Sequence, residues 1–80
     1  MTPIKLFAFL VQKAGVTQLE LDLSDCKTVA DVRQLVSKEI PAIRADVAKC
    51  MIAVNMEFQP DDCLLTDVSE IAIIPPVSGG

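Results

Sequence analysis

The chain has 80 residues, seven Lys and Arg against eleven Asp and Glu, no His, and a formal net charge of −4. That length leaves room for one domain over residues 1–80, and a 51% hydrophobic content is enough to give so short a chain a core. Scattered cations on an acidic chain offer no stripe for nucleic-acid phosphates or an anionic membrane, no apolar run nears the ~20 residues of a membrane span, and the lack of His removes Ser/His and Cys/His nucleophile pairs.

Residues 4–11 are aliphatic or aromatic apart from Lys5, which predicts a first strand. Alternation puts Ile4, Leu6, Ala8 and Leu10 on one side and Lys5, Phe7, Phe9 and Val11 on the other. Leu19, Leu21 and Leu23 alternate with Glu20 and Asp22, predicting a second strand joined to the first by a hairpin around Gly15. Thr28-Val29-Ala30-Asp31 then reads as a helix start, with a hydroxyl to cap a free N–H and an acid for the positive helix end. Val29, Val32, Leu35, Val36 and Ile40 make its apolar stripe, with Arg33, Lys38 and Glu39 off it, and Pro41 ends it.

Ile43 and Val47 predict a second short helix or turn within 42–49. Residues 50–55 resume a strand pattern, Pro60-Asp61-Asp62 marks a turn, 64–65 is a short extended piece, and 71–74 is apolar on both faces, as a central strand requires. This order predicts an α+β fold of the β-grasp, ubiquitin-like kind: a mixed sheet of about five strands with one main helix packed on one face. The first and last long strands would lie parallel at its centre, the helix making a right-handed crossover.

Cys26, Cys50 and Cys63 form neither a disulfide framework nor a CxxC metal pair; they are expected to be small buried hydrophobes, with Cys63 the most exposed beside Asp61-Asp62. No metal site and no bound cofactor are expected. The N-terminal run lacks a small-x-small cleavage site, so a cytoplasmic protein in a reducing compartment is expected. Asp61, Asp62, Asp67 and Glu70 read as a solvated acidic rim able to complement a basic partner.

After the last strand comes Pro75-Pro76-Val77-Ser78-Gly79-Gly80. The prolines cannot donate to a ladder and favour a stiff extended exit, and the glycines carry no Cβ, so 75–80 reads as a thin carboxylate-tipped probe able to thread a narrow channel. The alternative is a frayed terminus without a role.

Ile4-Lys-Leu-Phe-Ala-Phe9, Ala53-Val-Asn55, Leu65-Thr-Asp67, Glu70-Ile-Ala72 and, most specifically, Pro75-Pro-Val-Ser-Gly-Gly80 make the chain resemble the small subunit of molybdopterin synthase, the MoaD-like sulfur carriers of molybdenum-cofactor biosynthesis. The resemblance implies that a ubiquitin-activating-enzyme-like adenylyltransferase uses ATP to adenylate the Gly80 carboxylate, with Gly79 permitting the threading. A sulfur donor protein then converts it to a thiocarboxylate. In the active site of the large catalytic subunit, within a heterotetramer of paired small and large subunits, the sulfur passes to a cyclic pterin precursor to build the dithiolene. The chain would be inert alone. Phe9, Phe58 and Ile74 match the family's apolar contacts to the large subunit, with Pro75, Pro76, Val77 and Ser78 in the threaded tail.

Competing readings are sulfur delivery to thiazole or a tRNA base, ubiquitin-like conjugation, and a non-catalytic interaction module. Two departures from the family pattern stand out. Val68-Ser69 replaces the usual Gly-Asp, so a β-branched residue would make the turn, and Gln12-Lys13-Ala14-Gly15 replaces the usual Arg-Glu-Leu helical turn.

Overall fold

The structure, a computed structural model, describes residues 1–76. In chain order the elements are β1 (Thr2–Leu6), α1 (Phe9–Ala14), β2 (Gln18–Leu21), α2 (Val29–Glu39), a 3₁₀ turn (Pro41–Ile43), α3 (Arg44–Val47), β3 (Met51–Val54), β4 (Glu57–Phe58) and β5 (Ile71–Ile74). The sheet runs β2-β1-β5-β3-β4. At its centre β1 lies parallel to β5, Ile4 beside Ile71 and Leu6 beside Ile73, and the outer neighbours β2 and β3 are antiparallel to them. This is the β-grasp arrangement that the doubly apolar 71–74 segment predicts.

The main helix starts where Thr28 and Asp31 say it should. Asp31 N–H donates to the Thr28 hydroxyl at 3.4 Å, and the Asp31 carboxylate accepts from the backbone N–H of Lys27 at 2.8 Å and of Thr28 at 3.1 Å. Those N–H bonds, Lys27 first, hold the Asp31 carboxyl below its ordinary range. A lowered folded-state value means that ionised Asp31 stabilises the fold above the unfolded carboxylate range, and the contribution is lost as pH falls through the folded value. Replacing Asp31 by Asn should therefore lower stability at neutral pH and flatten the decline below about pH 4, as read from thermal melts over an acid series.

Val29, Val32 and Val36 of α2 close over Ile4, Ile71 and Ile73 of the sheet, and Leu10, Ile43 and Val47 complete a core shut off from solvent. Each such side chain is worth ~1.5–3 kcal/mol relative to exposure. The ion pairs Lys5–Glu70, Lys13–Asp46 and Arg33–Asp61 each keep a partner in water, and such pairs are worth only ~0–1 kcal/mol. Apolar burial holds the fold together.

The chain departs from expectation in two places. Residues 7–11 are not strand: β1 ends at Leu6, Ala8 has a left-handed φ of 54°, and Phe9 opens α1. Buried Leu10 and half-buried Val11 and Ala14 are spaced for a helix, and Gly15, at φ 79°, caps it by donating to the Val11 carbonyl at 2.8 Å. Gly15 therefore ends a helix instead of turning a hairpin, and the helical turn expected to be lost with Arg-Glu-Leu is present.

The second departure is the short fourth strand, which is Glu57–Phe58 and not 64–65; Leu64 makes only an isolated bridge to Thr28. β3 and β4 join through Asn55 (φ 51°) and Met56 (φ 72°), a two-residue turn with both centres left-handed.

Candidate functional site

Strand alternation divides β5: Ile71 and Ile73 face the core, while Ala72 and Ile74 face away from α2. Register extends this outer row across four strands, with Lys5 beside Ala72, Ala72 beside Ala53 and Ala53 beside Phe58, and Met51 beside Ile74. The alanines make a low floor. Around it Phe7, Met56, Phe58 and Ile74 form the walls of a shallow recess of about 280 Å³. Phe58 is 55% exposed and Phe7 44%, so this side of the sheet carries an uncovered apolar patch of the kind that marks protein contacts. Lys5 and Glu70, 2.6 Å apart, line one side and neutralise each other.

Of the predicted partner residues, the structure brings Phe58 and Ile74 into this recess but not Phe9. Phe9 sits on α1 with its ring under the Lys13 ammonium, 5.2 Å from the ring centroid. Phe7, which the chain carries past the end of β1, takes the place expected of Phe9. β5 leads straight into Pro75, which is buried, and Pro76, which is exposed. Val77, Ser78, Gly79 and Gly80 lie outside the described residues.

The rim is built by one side chain that sequence reading left among the motif matches. Asn55 donates through Nδ2 to the Asp67 carbonyl at 3.0 Å, and its Oδ1 accepts from the backbone N–H of Ser69 at 2.7 Å and of Glu70 at 3.2 Å. This clamp lets the turn form without a glycine: the left-handed residue is Asp67, at φ 50°, and Val68 packs half-buried on the core. The doubt raised by Val68-Ser69 is thereby answered one residue earlier. Two of the expected rim acids are paired, Glu70 with Lys5 and Asp61 with Arg33.

Arg33, placed off the apolar stripe of the helix, is a clamp on the helical side. Its Nη1 donates to the carbonyls of Val47 at 2.6 Å and Cys50 at 2.7 Å, and Nη2 to Asp61 at 2.7 Å. Nothing in the sequence signals this, because the carbonyls it satisfies belong to the end of another helix. Beside it, between α2 and α3, lies a hollow of about 560 Å³, lined by Arg33, Lys38, Pro41 and Arg44. Its hydroxyl, Ser37, donates to the Arg33 carbonyl at 2.9 Å and is held back from chemistry.

Cys50 is buried, and Cys26 and Cys63 are half-buried against the core. Burial pushes the Cys50 thiol up, as it does Cys26, helped there by the Asp31 charge; raised thiols are poor nucleophiles near neutrality. Among the described residues no three His, Cys, Asp or Glu cluster to hold a metal, and no helix is long and apolar enough to cross a membrane. What the described residues offer is an open apolar face continuous with the strand that precedes the Gly-Gly sequence.

Known proteins resemble the chain in sequence and fold. The profile of the ThiS family matches residues 4–80. The chain is 36% identical over 76 residues to the molybdopterin synthase sulfur carrier subunit of Chlamydomonas reinhardtii, covering 92% of each. It is 31% identical over 78 residues to the corresponding subunit of Arabidopsis thaliana, covering 96% of this chain and 80% of that one. Among solved structures it superposes on SAMP1 of Haloferax volcanii with a TM-score of 0.82 at 28% identity, over 99% of this chain and 98% of the other. With its β-grasp sheet, and with the family profile running from Ile4 of β1 to the last residue, the chain belongs to the ThiS family.

Proposed function

We propose that this chain is the sulfur-carrier subunit of a molybdopterin synthase, with the Gly80 carboxylate as its working group. The observation that carries the reading is the continuity of one strand: Ala72 and Ile74 of β5 line the open apolar face, and the same strand runs into Pro75 and the Gly-Gly sequence. The names of the curated relatives support it.

The chemistry follows from what a carboxylate lacks. It is a poor acyl donor, so a carboxylate oxygen of Gly80 attacks the α-phosphate of ATP on the activating enzyme and displaces pyrophosphate. A sulfide-level sulfur from the donor protein then attacks the acyl carbon and AMP leaves with the oxygen, giving a thiocarboxylate whose sulfur is the better nucleophile. The docking face holds the carrier on the large subunit while the tail presents sulfur to the pterin precursor. The large subunit supplies the catalytic groups, and the assembly is the heterotetramer.

Intact-mass spectrometry after incubation with ATP, a cognate adenylyltransferase and a sulfide source tests this. The expected result is replacement of one oxygen by sulfur, localised to Gly80, and its discharge when the large subunit and pterin precursor are added. Loading with discharge only to a tRNA or thiazole acceptor would move the chain to another sulfur pathway. An unchanged mass beside an active enzyme would leave a plain interaction module. A second reading, conjugation to lysines, is favoured by the likeness to SAMP1, a small archaeal modifier protein; isopeptide-linked adducts in place of free thiocarboxylate would select it.

A further inference from the structure

We propose that Met56 is an anchor for the protein that receives the tail, its side chain inserting into an apolar pocket on that partner. The inference rests on the carrier reading above, which makes the partner the large synthase subunit.

Asn55 and Met56 share one turn and both are left-handed, as a two-residue hairpin requires, but only the Asn55 side chain has a reason inside the fold. The Asn55 conformation aims an amide that makes three hydrogen bonds to the 67–70 segment. Met56 is 85% exposed and joins no core contact, and glycine would make the same left-handed turn, here at φ 72°, without strain, so the methionine side chain gains the isolated chain nothing. A strained position that keeps a bulky side chain the fold does not use points to a function for that side chain. What this backbone does is stand an unbranched apolar side chain on the wall of the recess, alongside Phe7 and Phe58.

The length of chain beyond the described residues says what covers this wall. Residues 77–80 span at most ~14 Å when fully extended, so a protein that holds Gly80 in its active site must press against the end of β5, where Ile74 lines the same recess. A contact of ordinary size, ~800 Å² on each partner and therefore roughly 30 Å across, takes in the sheet from Ile74 to Met56. The recess offers no unpaired charge, since Lys5 and Glu70 satisfy each other, so the complementary surface is apolar. A flexible thioether suits such a pocket.

Calorimetric titration of the full chain with purified large subunit, comparing Met56→Gly, Met56→Leu and Met56→Gln, with Phe58→Asp as reference for the face, tests the anchor. Met56→Gly should raise Tm by roughly 4–8 °C while weakening binding about 10-fold or more. Met56→Leu should bind within about 3-fold of the parent and Met56→Gln should follow Met56→Gly. Opposite signs for stability and affinity separate an anchor from a residue that only builds the turn. If Met56→Gly binds like the parent while Phe58→Asp does not, or if its Tm falls, the anchor is wrong and the carrier reading stands. If the parent neither binds the large subunit nor gains sulfur at Gly80 beside an active adenylyltransferase, the carrier reading has failed instead.

Discussion

Gly80→Val, or one residue added after Gly80, is expected to reduce thiocarboxylate formation by on the order of 10²-fold or more, the scale on which a misplacement of about 1 Å disrupts catalysis. The substitution puts a Cβ where the tail must thread, and the extension moves the carboxylate away from the α-phosphate. Stability should stay within about 0.5 kcal/mol, as for substitutions away from the core, because the hydrophobic core cluster of the described residues runs from Ile4 to Ile73. Intact-mass loading assays beside thermal melts read both quantities. A variant that melts normally, still binds the large subunit and takes up no sulfur isolates the terminus as the working group. Full loading of Gly80→Val would overturn the carrier mechanism.

Asn55→Ala is expected to be among the most damaging changes outside the core. It removes the donor to the Asp67 carbonyl and the acceptor for Ser69 and Glu70 N–H, bonds worth ~0.5–1.5 kcal/mol each. It also leaves an alanine at φ 51°, for a total of roughly 2.5–5.5 kcal/mol on chemical denaturation. Asn55→Gly loses the same bonds without the backbone penalty and should be about 1 kcal/mol less damaging. Asn55→Asp keeps the acceptor but turns the donor at Asp67 into a repulsive pair, and should fall between parent and alanine. Because Glu70 pairs with Lys5 beside the recess, the alanine variant should also weaken docking. Equal losses for Gly and Ala would show that the left-handed backbone carries no cost there.

Which features the sequence discloses depends on how local their causes are. Thr28 and Asp31 meet within one turn, so the helix start is readable from residue types alone. The central position of β5 is readable because Ile71, Ala72, Ile73 and Ile74 are apolar on both faces. Residues 7–11 mislead because Phe, Leu and Val carry strand preference, whereas α1 is six residues long, has no side-chain N-cap and owes its shape to Leu10 docking in the core. β4 has two residues and a turn containing Met in place of the usual glycine, which leaves no pattern to read. Of the recess, Phe58 and Ile74 are named by resemblance, while Val77 to Gly80 of the proline-led tail lie outside the described residues. Phe7 is legible from alternation, which puts it on the Lys5 face, whereas Met56 emerges only once the β3–β4 turn is seen to be left-handed.

The parallel seam between β1 and β5 governs how the chain reaches this state. Ile4 lies beside Ile71 and Leu6 beside Ile73, so almost the whole described chain must be looped before the middle of the sheet exists. Closing such a loop is entropically costly until the contacts form, and topologies rich in distant pairings fold slowly for their size. α2 and the β3–β4 hairpin can form from neighbouring residues, while the two halves of the sheet wait for the ends of the chain to meet. A newly made chain therefore passes through a stage in which the strand faces of Ile71 and Ile73 lack their partners, and it is during that interval that it is most open to association with other unfolded chains.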